Sequence, residues 1–287
     1  MRIKLNPKIE YVLAMLIFGS VGLPVRFLPL PSAWLAMIRG LAGGLLLLAL
    51  RPKPNWGSFA KNWRPLVVSG LAIGLNWIFL FEAYRHTTIA VATLLYYLAP
   101  VLVLLLSPVI LKEKLTVKQG CVIGVALLGM VLVSGAGIGG MGSLRGVIMG
   151  LLAACFYATV MLANRFLKEL HPLDRTIFQL GLAGLTVMPY AILCNGFSAA
   201  WFNGRSILLL ALVALLYTGI AYALYFDGLA RLPGSASALL AYLDPVAALL
   251  ISAVVLKEAM TPAQIIGAVL VLGALLWGEL PIRRGKH

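Results

Sequence analysis

Ten apolar runs, each about the length of a membrane crossing, leave this chain little room for any other fold. A helix that spans a bilayer needs about 20 mostly apolar residues. The runs fall at 9–27, 32–50, 65–84, 89–111, 117–136, 146–166, 173–194, 206–226, 235–256 and 262–280. The connections are short and carry turn residues: Pro29 and Pro31, Pro52 and Pro54, Gly139-Gly140, Pro172, Gly204, Pro233-Gly234. No soluble domain fits between them. Backbone groups in lipid must be satisfied inside the segment, which runs of this length do as helices. The composition agrees. The chain is 62% hydrophobic and 11% charged, where soluble domains average about 45–50% and about 25%. This is an all-α integral membrane protein. The basic stretch before residue 9 is not a signal peptide, because no small-residue cleavage site follows it.

The net charge of +14 would suit a nucleic-acid binder, but the basic residues lie in the short connections, where topology explains them. With the N-terminus cytoplasmic, 17 of the 23 Lys and Arg fall on the cytoplasmic side, from Arg2, Lys4 and Lys8 to Arg283, Arg284 and Lys286. Arg26, Arg85, Arg145, Arg205 and Lys257 fall on the other side, and Arg39 alone lies within a span. Positive charge stays inside, so both termini are expected in the cytoplasm.

The runs are not independent. Leu94 to Thr116 returns, without a gap, at Leu239 to Thr261. Leu94, Leu95, Tyr97, Leu98, Pro100, Val101, Leu104, Leu105, Ser107, Val109, Leu111, Lys112, Glu113, Thr116 and Gln119 each meet an identical residue 145 positions on. Backwards, Phe81-Glu82 meets Phe226-Asp227. Each copy is an apolar run with a mid-run proline, closed by Lys-Glu. Five spans per half is an odd number, so the second half is inserted upside down. The expected architecture is two inverted five-helix repeats, residues 1–140 and 141–287. Inverted repeats with interrupted helices in matching positions mark secondary transporters, whose substrate site lies near the midplane.

Proline removes a backbone hydrogen bond and crowds the preceding turn. Pro100 and Pro245 therefore predict kinks in the fourth and ninth spans. One reading is a pair of hinges, the other a pair of static kinks. Asp244, deep in the ninth span, is the sharpest single residue; its repeat partner is Ala99. A carboxylate at that depth costs about 2.5–3.5 kcal/mol on insertion scales, so it faces a cavity or a partner. Two readings stand: it binds a substrate amine or a proton, or it answers Arg39. Glu82 with Arg85 and Asp227 with Arg231 have the spacing of helix-end ion pairs.

Asn76, Trp77, Tyr97, Tyr157, Tyr222, Tyr242 and Asp244 are the candidate substrate-binding residues. A largely apolar cavity with a few hydroxyls and aromatic rings suits small amphipathic solutes; helix packing is the alternative for any one tyrosine. Trp34, Trp63, Trp201 and Trp277, near span ends, read as an interfacial belt. Thr93 with Tyr97, and Ala238 with Tyr242, share faces at i+4. Gly40-x-x-x-Gly44 and Gly70-x-x-x-Gly74 allow close helix approach. Cys121, Cys155 and Cys194, with no CxxC spacing, read as small packing residues rather than disulfides or metal ligands. His86, His171 and His287 have no carboxylate spacing that suggests a metal, and no catalytic triad or phosphate loop is present. An enzyme is not indicated, and neither cofactor nor metal is called for.

A doubled five-span unit, each copy running through Pro-Val and an apolar stretch to Leu-Lys-Glu and a Thr that opens the next helix, resembles the EamA-type transporters of the drug/metabolite transporter superfamily. Arg39-Gly40 and the Leu-Gly pairs at 128–129 and 272–273 fit as well. The resemblance covers essentially the whole chain. It implies a ten-helix inverted-repeat fold in a prokaryotic inner (plasma) membrane, both termini inside, and a central cavity lined mainly by helices 1, 3, 4, 6, 8 and 9. Similar members, the aromatic amino-acid exporters among them, export amino acids or other metabolites. Asp244 departs from the apolar residue usual before this proline. The reading is a secondary exporter of small metabolites, foremost amino acids, working by alternating access around Pro100 and Pro245. Its partners are that solute and membrane lipid, not nucleic acid, and it is a monomer or weak homodimer. The alternative is a transporter or flippase of lipid-linked or drug-like amphiphiles, which would show a laterally open basic groove; Arg39 alone is available for one at depth.

Overall fold

The structure is a computed structural model that describes residues 6–21, 24, 27–50, 53–87, 92, 95–113, 115–134, 143–255 and 261–279. Leu94, Thr93, Arg26, Gly139-Gly140, Lys257-Glu258, His287, Arg2, Lys4, Arg283, Arg284 and Lys286 lie outside them. The described residues form helices α1 (Pro7–Ser20), α2 (Ser32–Leu50), α3 (Trp56–His86), α4 (Ala99–Ile110), α5 (Val117–Ser134) and α6 (Leu144–Ala163). They continue with α7 (Pro172–Asn195), α8 (Gly204–Arg231), α9 (Gly234–Leu240), α10 (Leu243–Val255) and α11 (Pro262–Glu279). Two single 3-10 turns occur at Asn164–Phe166 and Ala199–Trp201, and no strand occurs among the described residues. Among the described residues five helices are each long and apolar enough to cross a membrane: Ser32–Ala49, Trp56–His86, Leu144–Phe166, Pro172–Cys194 and Gly204–Arg231.

Side chains that accept from the free N–H groups of the first turn set the helix starts. Asn6, Asn55, Ser143 and Asn203 each do this, for α1, α3, α6 and α8. The Asn55 cap lets α3 begin at Trp56, well before the apolar run, and carry Pro65 inside it. The helices then pack through glycine. α2 and α3 both lie on α7. A Cβ on Gly40 would sit 2.8 Å from the Gly184 backbone, and one on Gly74 would sit 2.6 Å from Thr186. The two small-residue motifs thus seat α2 and α3 on one partner, α7. Elsewhere α5 lies along α11, with a Gly129 Cβ position 2.7 Å from the Gly267 carbonyl oxygen.

Three expectations change. First, the prolines do not kink continuous helices. The ninth run is two helices, α9 and α10, separated at Ala241–Tyr242, and Pro245 lies in the first turn of α10. Likewise α4 begins at Ala99 after a turn at Tyr97–Leu98, with Pro100 in its first turn. A first-turn N–H has no helical partner, so proline costs nothing there and starts a helix well. Second, Cys121, Cys155 and Cys194 face outward rather than packing inside. Third, Trp34 is buried, its indole N–H donating to the Gly196 carbonyl at 2.6 Å, so it is a packing residue rather than a belt residue. Trp63 and Trp277 are exposed, as a belt requires.

The Lys-Glu end of α4 has a defined task. α4 closes with Lys112 in the left-handed region, φ 57°, and the Glu113 N–H pointing back to the Ser107 carbonyl at 3.4 Å. That is a Schellman-type close, in which glycine is the usual residue at the left-handed position. The turn aims Glu113 at the start of α9, where both carboxylate oxygens accept from the Gly234 N–H at 3.0 Å.

Candidate functional site

Arg39 is held in the middle of the bundle by α2, and its placement depends on a local distortion of α8. Residues Val213–Ile220 form a π-helical stretch, a wide turn that often marks functional sites. There the Thr218 hydroxyl donates to the Val213 carbonyl, five residues back, at 2.9 Å. Its oxygen remains free to accept from Arg39 Nε at 3.1 Å. The guanidinium carbon also lies 5.7 Å from the centroid of the Trp77 ring, within the range of a cation–π contact.

Asp244 comes from another helix, in the first turn of α10. Tyr97 lines the same cavity as its carboxylate. The position of Asp244 just after the break between α9 and α10 is favourable for an anion, because the free N–H groups of a helix start carry partial positive charge. Among the described residues no ion pair joins Asp244 to Arg39, so of the two readings of Asp244 the one in which it answers Arg39 directly is not seen.

Both charges instead line one cavity of about 240 Å³. Much of the remaining wall is aromatic. Phe18 of α1 and Tyr222 of α8 meet edge to face at 4.8 Å, and Tyr96 and Tyr157 stack at 4.9 Å with a 4° interplanar angle. Of the seven candidate residues, Asn76, Trp77, Tyr97, Tyr157, Tyr222 and Asp244 lie on this wall. Asn76 is partly spent, since its amide N–H donates to the Ala153 carbonyl of α6 at 2.7 Å. Tyr242 is not on the wall. It is fully buried behind Tyr97, 6.4 Å between ring centroids, and its hydroxyl donates to the Tyr97 carbonyl at 3.3 Å. It supports the break in the fourth span rather than facing the cavity.

The charged residues at the helix ends pair at the expected spacings and reach further. Glu82 meets Arg85 at 3.3 Å, but also His86 at 3.6 Å and the hydroxyl of Tyr190 on α7. Asp227 meets Arg231 at 2.6 Å, and Arg231 also holds Glu10 of α1. Thr218 and Glu10 were not singled out by the sequence. The role of Thr218 depends on a π turn with no residue signature, and Glu10 has the pattern of an ordinary first-turn carboxylate.

The EamA-like transporter family matches residues 9–135 and, a second time, residues 144–277. The chain belongs to the EamA-like transporter family. This EamA-like transporter is 32% identical to the uncharacterized transporter YxxF of Bacillus subtilis, over 97% of this chain and 90% of that protein. It is 28% identical to protein PecM of Dickeya dadantii, over 88% of this chain and 84% of that one. It is also 28% identical to the threonine/homoserine exporter RhtA of Escherichia coli K12, over 93% of this chain and 88% of that one. A solved crystal structure superposes with a TM-score of 0.83 at 20% identity, covering 95% of this chain and 97% of the other; it shows a shared fold. The protein is therefore a multi-pass membrane transporter, not an enzyme.

Proposed function

We propose that this EamA-like transporter exports amino acids by alternating access. The observation that carries the reading is the pairing of one cation, Arg39, and one carboxylate, Asp244, in a single aromatic-walled cavity with no ion pair between them. An α-amino acid presents the complementary pair, a carboxylate for Arg39 and an ammonium for Asp244. Apolar or aromatic side chains fit the remaining wall. At about 240 Å³ the cavity is smaller than the roughly 300–1,000 Å³ typical of drug-sized ligands, which favours a small metabolite. The likeness to a protein named for exporting threonine and homoserine supports the same class.

The reading includes ten spans in two inverted five-helix units, residues 1–140 and 141–287, with both termini cytoplasmic in a prokaryotic inner membrane. The charge bias and the double family match support it. The helix breaks before Pro100 and Pro245 serve as the hinges, because a break with its proline in the first turn lets each half-helix swing without losing hydrogen bonds. Purified protein in liposomes, offered a panel of labelled amino acids, tests the proposal. Uptake or counterflow of amino acids with apolar or aromatic side chains is expected. If none moves while a lipid or drug-like amphiphile does, the amphiphile-transporter reading replaces it.

A further inference from the structure

On α1 the central cavity is lined from Phe18 onward and on α8 as far as Tyr225, so its lining stops short of the end where α1 begins and α8 finishes. Tyr225 lines that cavity, while Asp227, two residues further along α8, lines another, more polar cavity of about 440 Å³ with Asp174, Arg175 and Arg231. Between the two linings stands a buried aromatic plug. Tyr11, Tyr225 and Phe226 are each 0 or 1% exposed, with the Tyr11 and Tyr225 rings 5.3 Å apart. Along α8 the buried Tyr225 and Phe226 stand between the lining of the one cavity and that of the other.

The plug is clamped from its far side. Arg231 Nη2 donates to Glu10 on α1 and, at 2.6 Å, to Asp227 on its own helix, so one guanidinium bridges two carboxylates and ties α1 to α8. Glu10 is 5% exposed while Arg231 keeps about a third of its side chain in contact with solvent. The two helices also touch backbone to backbone. A Cβ on Gly228 would lie 2.9 Å from the Pro7 carbonyl oxygen and 3.0 Å from Tyr11. Arg175 of α7 adds a donation to the Phe226 carbonyl at 2.5 Å, which holds the plug from a third helix. The repeat partner of Asp227, Glu82, makes no such bridge to α1 among the described residues; its ties run within α3 and to α7.

We propose that the Glu10–Arg231–Asp227 cluster, seated on the Gly228–Tyr11 contact, is a latch that shuts one end of the transport path and must break in every cycle. A cluster half-open to water suits this role. A fully buried pair resists separation, because each charge left alone is strongly unfavourable, whereas exposed pairs are worth little. Glu10 and Arg231 lie between these limits, strong enough to bias the closed state and wet enough to part. The proposal rests on the alternating-access reading but not on the identity of the substrate.

The test uses thiol accessibility in a variant with its three cysteines replaced by alanine and a single new cysteine at Val160, which lines the central cavity. A membrane-impermeant maleimide is added from the side where α1 begins. With the latch intact labelling is slow. Glu10→Gln is expected to speed it roughly tenfold, the factor that corresponds to one broken charge-assisted hydrogen bond. The exchange Glu10→Lys with Arg231→Glu, which again sets one cation between two anions, should restore the slow rate. An unchanged rate in Glu10→Gln overturns the latch, and so does an exchanged pair that labels as fast as the single variant, since packing alone would then explain Glu10. If Glu10→Gln fails to reach the membrane, Gly228→Ala carries the same expectation, because its new methyl pries the helices apart. The readout needs no substrate, so an amino-acid panel that fails to move leaves this result standing, and the reverse.

Discussion

Asp244→Asn separates the two ends of the substrate. Asparagine keeps the size of the side chain and a side-chain oxygen, so the start of α10 and the cavity wall are retained. What is lost is the negative charge that, on the proposed function, faces the substrate ammonium. A hydrogen bond to a charged group is worth about 1.5–3 kcal/mol. At about 1.4 kcal/mol per decade, that predicts a roughly ten- to hundredfold weaker affinity for an amino acid. A ligand without the amine should lose nothing, because it never used the carboxylate. The assay is binding to purified protein with L-phenylalanine and its desamino analogue 3-phenylpropanoate, on the wild type and the variant. A large loss for phenylalanine and none for the analogue is expected. Equal losses for both, or unchanged phenylalanine binding, would refute the assignment of Asp244 to the amine.

Five further outcomes are expected. Gly40→Ala should destabilise the protein by about 1–3 kcal/mol through overpacking, because its Cβ would meet the Gly184 backbone at 2.8 Å. Gly181→Ala, which meets nothing within 4 Å, should be neutral in thermal unfolding in detergent. Glu113→Ala should lower stability by about 1 kcal/mol by removing the cap on α9, while Lys112→Gly should raise it by a similar amount by relieving the left-handed backbone. Pro100→Ala and Pro245→Ala should each slow transport while leaving the yield of folded protein unchanged; wild-type rates in both would remove the hinge role.

The apolar runs gave away the helices because lipid leaves a chain of this composition no other way to satisfy its backbone. The glycine spacings were equally informative: Gly40 and Gly74 do bring α2 and α3 against α7. The cavity was legible only in part. A helix buried in a bundle and bathed in lipid is apolar all round, so periodicity does not say which face of α8 looks inward. Tyr222 and Tyr242 look alike in sequence, yet one lines the cavity and the other stands behind Tyr97. The prolines pointed to the right places but to the wrong geometry, since the same residue kinks a helix interior and begins a new helix. Thr218 could not be read at all, because its contact with Arg39 depends on a π turn made by ordinary aliphatic neighbours. Glu10 and Arg231 stand 221 residues apart, and only the folded bundle brings them together.

The most direct test of the account is a structure of the protein with a bound amino acid. The ligand carboxylate should lie against the Arg39 guanidinium and its ammonium within hydrogen-bond reach of Asp244, with its side chain among Phe18, Tyr96, Tyr157 and Tyr222. An amino acid bound outside this cavity, or inside it with neither charged group engaged, would contradict the account.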